Sequence, residues 1–240
     1  MGFVGVKMNF RRPIDISSLL DQTSFKIVDG KKLAVKNYTK PSGIIKWLLL
    51  NFPPIPFYYP LTLDPAERMR REIDFFSHEA EGFLIPKIYN IDWKKIVLER
   101  EYIEGRHPSF EDEKDLKSVG MALSFIHRAE RCLGDTKPQN FLIAENGVYV
   151  IDAEQSLLSC QKRRFIGWDV ALSILFIFWN NPLISPNEFS SKVRSFLNGY
   201  KEAGSKISWE IVREAHPLIL LTPPQLLLIV RESLSLENNV

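Results

Sequence analysis

The most constraining stretch is polar and short: Gly134-Asp135-Thr136-Lys137-Pro138-Gln139-Asn140, followed by Val148-Tyr149-Val150-Ile151-Asp152. It predicts a loop between apolar elements. Glu145-Asn146-Gly147, between Phe141-Leu142-Ile143 and Val148–Ile151, is a hairpin turn signal. A hairpin returns the chain close to its start, so Asp152 is expected beside Asn140, where the two share a hard cation as oxygen ligands. Asp135 is then left as a proton acceptor, with Lys137 beside it as a fixed positive charge for a phosphate.

The other parts fall in a consistent order. Phe25–Val28, Asp29-Gly30 and Leu33-Ala34-Val35-Lys36 read as a hairpin ending on a lysine. Asp64-Pro65 caps a helix expected to run to about Ala80, with Met69, Ile73 and Phe76 on one face and Glu72 next to that stripe. Phe83–Tyr89 and Ile96–Glu99 read as strands leading into Arg100-Glu101-Tyr102-Ile103-Glu104-Gly105. Asp115–Arg131 is an amphipathic helix with Leu116, Val119, Leu123 and Ile126 in line. Trp168-Asp169 opens a strongly apolar helix, and helices are expected over 186–203, 209–215 and 224–236.

These residues resemble the protein-kinase-like superfamily. Asp135-x-Lys137-x-x-Asn140 is similar to its catalytic loop, Ile151-Asp152 to its metal-binding Asp, and Leu123–His127 to the helix end upstream. Leu133-Gly134 stands where His-Arg is usual, and Ala153-Glu154 where Phe-Gly is usual. "Gly-Asp" is similar to small atypical members: the kinase subunit of the KEOPS tRNA-modification complex, the RIO kinases, and the sugar and lipopolysaccharide-core kinases. The resemblance implies an α+β, bilobal fold: a β-rich N-lobe over 1–104, and a reduced, mostly helical C-lobe over 105–240. It implies Asp135 and Lys137 as catalytic residues, and Asn140 and Asp152 as metal ligands. Lys36 would hold the ATP α- and β-phosphates, oriented by Glu72 (or Glu79), and backbone around Glu101 and Ile103 would bind adenine. His127 is expected in the core. Asp169 is expected to brace the catalytic loop without doing chemistry. The family's glycine-rich phosphate loop should lie near Leu20–Phe25, which contains no glycine.

The reading that follows is an ATP- and Mg²⁺- (or Mn²⁺-) dependent phosphotransferase, an atypical serine/threonine protein kinase or KEOPS-like kinase/ATPase. One alternative is a kinase of a small-molecule, lipid or sugar acceptor at a membrane surface, and another is a pseudokinase scaffold. Residues 41–61, with Trp47, Leu48–Leu50, Pro53-Pro54 and Tyr58-Tyr59, read as an insertion packed on the small lobe or as an apolar patch for a protein partner or membrane surface. Lys162-Arg163-Arg164 reads as a basic loop, solvated or bound to an acidic substrate or RNA phosphate; contact with nucleic acid would be indirect.

Composition adds limits. Of 240 residues, 45% are hydrophobic and 25% charged, as in an ordinary globular protein, and the net charge of +2 argues for no polyanion. Cys132 and Cys160 offer no framework or zinc spacing, which suggests a reducing compartment. No secretory signal pattern opens the chain and no stretch reaches a membrane-span length, so the cytoplasm is the default expectation.

Overall fold

The computed structural model describes residues 22–40, 58–78, 81–160 and 162–236. Two strands, β1 (Thr23–Val28) and β2 (Lys31–Asn37), form the first hairpin. Its turn is tight because Asp29 and Gly30 both take positive φ, 49° and 74°. Strands β3 (Ile88–Asp92) and β4 (Val97–Glu101) complete an antiparallel sheet of order β1-β2-β4-β3.

Register decides what this sheet presents. Thr23 pairs with Lys36, Phe25 with Ala34, Ala34 with Arg100, and Lys36 with Leu98. Cross-strand partners share a face and alternate residues do too, so Thr23, Phe25, Ala34, Lys36, Leu98 and Arg100 all lie on one side. That side meets helix α1 (Pro65–Phe76), which starts on the side chain of Asp64 accepting from the Ala66 amide.

Three expectations are corrected here. Helix α1 stops at Phe76, where the Ser77 hydroxyl and amide both bond the Ile73 carbonyl and close the last turn. Its buried face comprises Arg68, Met69, Glu72, Phe75 and Phe76, so Glu72 lies within the inward stripe and not next to it. The expected strand at Phe83–Tyr89 begins only at Ile88. Pro86 has no amide to donate, and Leu84 is engaged elsewhere, exchanging backbone hydrogen bonds with Val148 and Val150.

That engagement fixes the second hairpin, β5 (Phe141–Ala144) and β6 (Gly147–Val150). Leu84 covers the β6 edge, and Arg106 covers the β5 edge by exchanging bonds with Ile143.

The rest is helical. Helix α2 (Glu113–Arg128) starts on Asp112, and α4 (Pro186–Glu202) on Ser185. Between them in sequence, α3 (Arg163–Asn180) buries Phe165, Trp168, Val170, Ile174, Leu175 and Ile177, the pattern of a helix enclosed by its neighbours. It starts five residues before Trp168, so Arg163 and Arg164 belong to its first turn and not to a loop. The expected helix at 209–215 is two short ones, α5 (Trp209–Val212) and α6 (His216–Ile219). Pro217 lacks the amide that a continuous helix would use, and it suits a helix start. Helix α7 (Pro224–Leu236) closes the described chain. No helix among the described residues is long and apolar enough to cross a membrane.

Residues 41–57 of the apolar segment lie outside the described residues. Its described end bridges two parts of the fold, and the Pro60 carbonyl accepts from Arg71 of α1 at 2.9 Å. Tyr59 is fully buried against the rings of Phe165 and Trp168, and its hydroxyl donates to the Gln155 carbonyl at 3.0 Å. The two cysteines are likewise corrected. Cys132 and Cys160 are disulfide-bonded, Cα atoms 5.6 Å apart, which removes the cysteine argument for a reducing compartment.

Helices α2 and α4 pack without side chains between them at two points. A Cβ on Gly120 would stand 2.1 Å from the Phe196 carbonyl oxygen, and one on Gly199 would stand 2.0 Å from that of Lys117. Gly120→Ala is therefore expected to cost about 1–3 kcal/mol in urea unfolding, despite alanine's better helix propensity. A change within about 0.5 kcal/mol would mean that the helix pair separates freely.

Candidate functional site

The site begins with a buried amine. Lys36 is 2% exposed, reaching in from β2, and its Nζ lies 2.6 Å from Glu72 on α1. It also lies 2.8 Å from Asp152 and 3.2 Å from Glu154, both just beyond β6. Three carboxylates from two separate parts of the chain thus converge, with oxygens within 4.8 Å of one another, and the cation among them is the Lys36 ammonium. Arg68 adds a second charge, 2.7 Å from Glu154 and itself fully buried.

Burial works against the Lys36 charge, but the carboxylates of Asp152, Glu154 and Glu72 outweigh it and hold its pKa above the ordinary lysine value. Glu72 is pushed up to about 7 by burial, with the Lys36 charge opposing and the charges of Asp152 and Glu154 adding to the push. Asp152 keeps a 22% exposed side chain, so one member of the cluster faces the solvent side.

A cleft of about 450 Å³ opens from this cluster. Lys36, Arg100 and Asp152 line its charged part, and Ala34, Ile103, Leu142 and Ile151 its apolar part. Tyr102 and Phe25 pack edge to face at its mouth, ring centres 5.2 Å apart, with the Lys32 ammonium 3.6 Å from the Tyr102 ring centre.

The polar loop is held from beneath. Fully buried Asp169 on α3 accepts from the amides of Leu133 at 2.7 Å and Gly134 at 2.8 Å. His127 bridges Asp169 (3.2 Å) and the Tyr200 hydroxyl (2.7 Å). Thr136 donates to the Asp169 carbonyl, and the Trp168 indole donates to the Gly134 carbonyl. Gly134 has φ +72°, and a Cβ there would stand 2.5 Å from the Tyr59 ring. Glycine at this position is therefore a local steric requirement.

On this support Asp135 is 6% exposed, and its carboxylate lies 3.0 Å from the Lys137 ammonium. The Asn140 side chain donates to the Asp135 carbonyl at 2.8 Å, and the Asn140 carbonyl accepts from the Ile151 amide at 2.8 Å, so the hairpin does bring the loop beside Asp152. Ile103 lines the cleft. Glu101 does not line it: its amide donates to the Lys87 carbonyl, and its carboxylate accepts from the Lys87 amide. Glu79 lies outside the described residues, as do residues 20 and 21 of the expected phosphate loop. Thr23–Phe25 are strand.

Sequence reasoning missed three residues of this site. Glu154 reads in the sequence only as a departure from Phe-Gly, and Arg68 is one of three arginines on a helix whose others, Arg70 and Arg71, make surface pairs. Their signal was weak: Arg68 and Glu72 stand four apart, one helical turn. Arg100 sits in a strand, where an alternating charge reads as solvent-facing.

No protein-family model matches the chain. Over 99 residues it is 29% identical to KEOPS complex subunit Bud32 of Pyrococcus abyssi (strain GE5 / Orsay). That match covers 38% of this chain and 42% of the archaeal protein. The similarity is to part of a kinase-like protein, and the mixed α/β architecture with its small antiparallel sheet is consistent with it.

The Glu72 carboxyl supplies a test of the cluster. Its pKa is raised on folding from 4.5 to about 7. It holds its proton more tightly folded than unfolded, so its contribution to stability is full below about pH 4.5 and is lost as pH rises through about 7. Carboxyl-carbon NMR of the folded protein should show Glu72 titrating near neutrality. A midpoint at the ordinary glutamate value would mean that the three carboxylates are not gathered around one ammonium.

Proposed function

We propose that the chain is a metal-dependent phosphotransferase of the atypical kinase-like type. It takes a γ-phosphoryl group from a nucleoside triphosphate, which is ATP in the family it resembles. The observation that carries this reading is the meeting of Lys36, Glu72 and Asp152 at the inner end of a cleft with apolar walls. The part-likeness to the KEOPS subunit supports the same reading. In this reading residues 1–104 form an N-lobe and 105–240 a C-lobe, with the cleft between them.

The donor set suits a hard cation. Asp152 offers carboxylate oxygens on the solvent side, and Asn140 spends its amide nitrogen on the Asp135 carbonyl, leaving its side-chain oxygen as the remaining donor atom. A Mg²⁺ or Mn²⁺ ion held there would neutralise phosphate charge. The chain's own residues do the rest. Lys36, steered by Glu72, binds phosphate oxygens. Asp135 takes the proton of the acceptor hydroxyl. Lys137, already against Asp135, offsets charge on the transferred group. Backbone near Ile103 meets the base. The acceptor is a hydroxyl of a protein or small molecule, and a serine/threonine acceptor is the first to try.

Transfer from γ-labelled ATP and GTP with Mg²⁺, to the protein itself or to a generic protein acceptor, tests the reading. Asp135→Asn should lower turnover by about 10²–10⁴-fold while nucleotide binding persists. Asp152→Asn should abolish the metal-dependent rate. Wild-type rates in both variants would refute the assignments. No turnover in folded wild-type protein with any acceptor would favour a scaffold that binds without transferring.

A further inference from the structure

We propose that Arg100 sets the base preference of the cleft, favouring a nucleotide whose base turns a ring carbonyl to the inner wall: a 6-oxopurine (inosine or guanosine) over adenosine. This rests on the nucleotide-binding reading above and refines it.

The position follows from the sheet. Arg100 pairs with Ala34, two residues before Lys36, so the two basic side chains rise from the same face. Arg100 therefore stands beside the charged end of the cleft, at the inner border of the slot lined by Ala34, Ile103, Leu142 and Ile151. A planar base anchored through its phosphates at Lys36 and lying in that slot would meet Arg100 along its inner edge.

The side chain is tied down. It is 5% exposed; one terminal nitrogen donates to the Ile151 carbonyl at 2.8 Å, and the other lies 3.4 Å from the Glu101 carbonyl. Among the described residues, its Nε is buried without a hydrogen-bond partner. A guanidinium has five N–H donors and no acceptor. Each of these two backbone carbonyls already accepts from Arg100, and the guanidinium's remaining terminal N–H groups add donors and no acceptor at this border. An exocyclic amino group would bring a donor against donors, whereas a ring carbonyl brings the acceptor that is lacking. Phe76 flanks the guanidinium at 5.9 Å, and Glu72 faces it electrostatically from within the cluster.

ITP and ATP differ only at the 6-position and its neighbouring ring nitrogen, so they isolate the effect. Calorimetric titration of the full chain with non-hydrolysable ITP, GTP and ATP analogues in Mg²⁺ should give about tenfold or tighter binding of the two oxo bases. Arg100→Met should erase or invert the ITP/ATP ratio. Arg100→Lys should keep part of the preference and serves if the methionine variant fails to fold. A merely structural Arg100 would shift all three affinities together. Tighter or equal binding of ATP by the wild type overturns this inference and leaves the phosphotransferase reading standing. A preference unchanged in a folded Arg100 variant does the same. Binding of none of the three overturns both.

Discussion

Everything in the site depends on one ammonium group that is almost cut off from water. Lys36 comes from the sheet, Glu72 from α1, and Asp152 and Glu154 from the segment after the second hairpin. Removing any one partner leaves buried charge uncompensated, a loss of about 3–5 kcal/mol in comparable cases. A well-packed apolar group in the same place would stabilise the fold at least as well. The cluster is therefore poorly explained as a stability device and well explained as a site. Within it Arg68 and Arg100 supply two further positive charges.

A second, independent frame holds the polar loop. Asp169 gathers two loop amides, the His127 ring supports it, and Trp168 and Thr136 tie the same loop to α3. Each donor goes to a named acceptor, so the backbone through Leu133–Thr136 is defined before any ligand arrives. That is the preorganisation electrostatic catalysis requires. The disulfide and the backbone pairing of Cys132 with Leu157 join this loop to the segment carrying Asp152 and Glu154. The two frames are thus mechanically one.

Much of this was legible because it is local. The Asn-Gly turn foretold the β5–β6 hairpin, and with it the approach of Asn140 to Asp152. The Asp29-Gly30 turn put Lys36 at the end of a hairpin strand, and helical spacing brought Glu72 close to the inward stripe. What stayed hidden depends on contacts between distant segments. Arg68 and Glu154 lie 86 positions apart, and each alone looks solvated. Arg100 carries a charge into a buried strand face, against ordinary patterning, because Ile151 and Glu101 carbonyls await it. The cysteine pair, 28 residues apart, defeated a composition argument for the same reason. Boundaries shifted where a side chain capped a turn (Ser77) or a proline removed a donor (Pro86, Pro217).

The most direct test of the central claim is to watch the proposed metal site. Mn²⁺ titrated into isotopically labelled protein with a non-hydrolysable nucleoside triphosphate should selectively broaden the NMR signals of Asn140, Asp152 and their neighbours. The broadening should depend on the nucleotide and disappear in Asp152→Asn. Broadening confined to other acidic surfaces, or identical without nucleotide, would contradict the account.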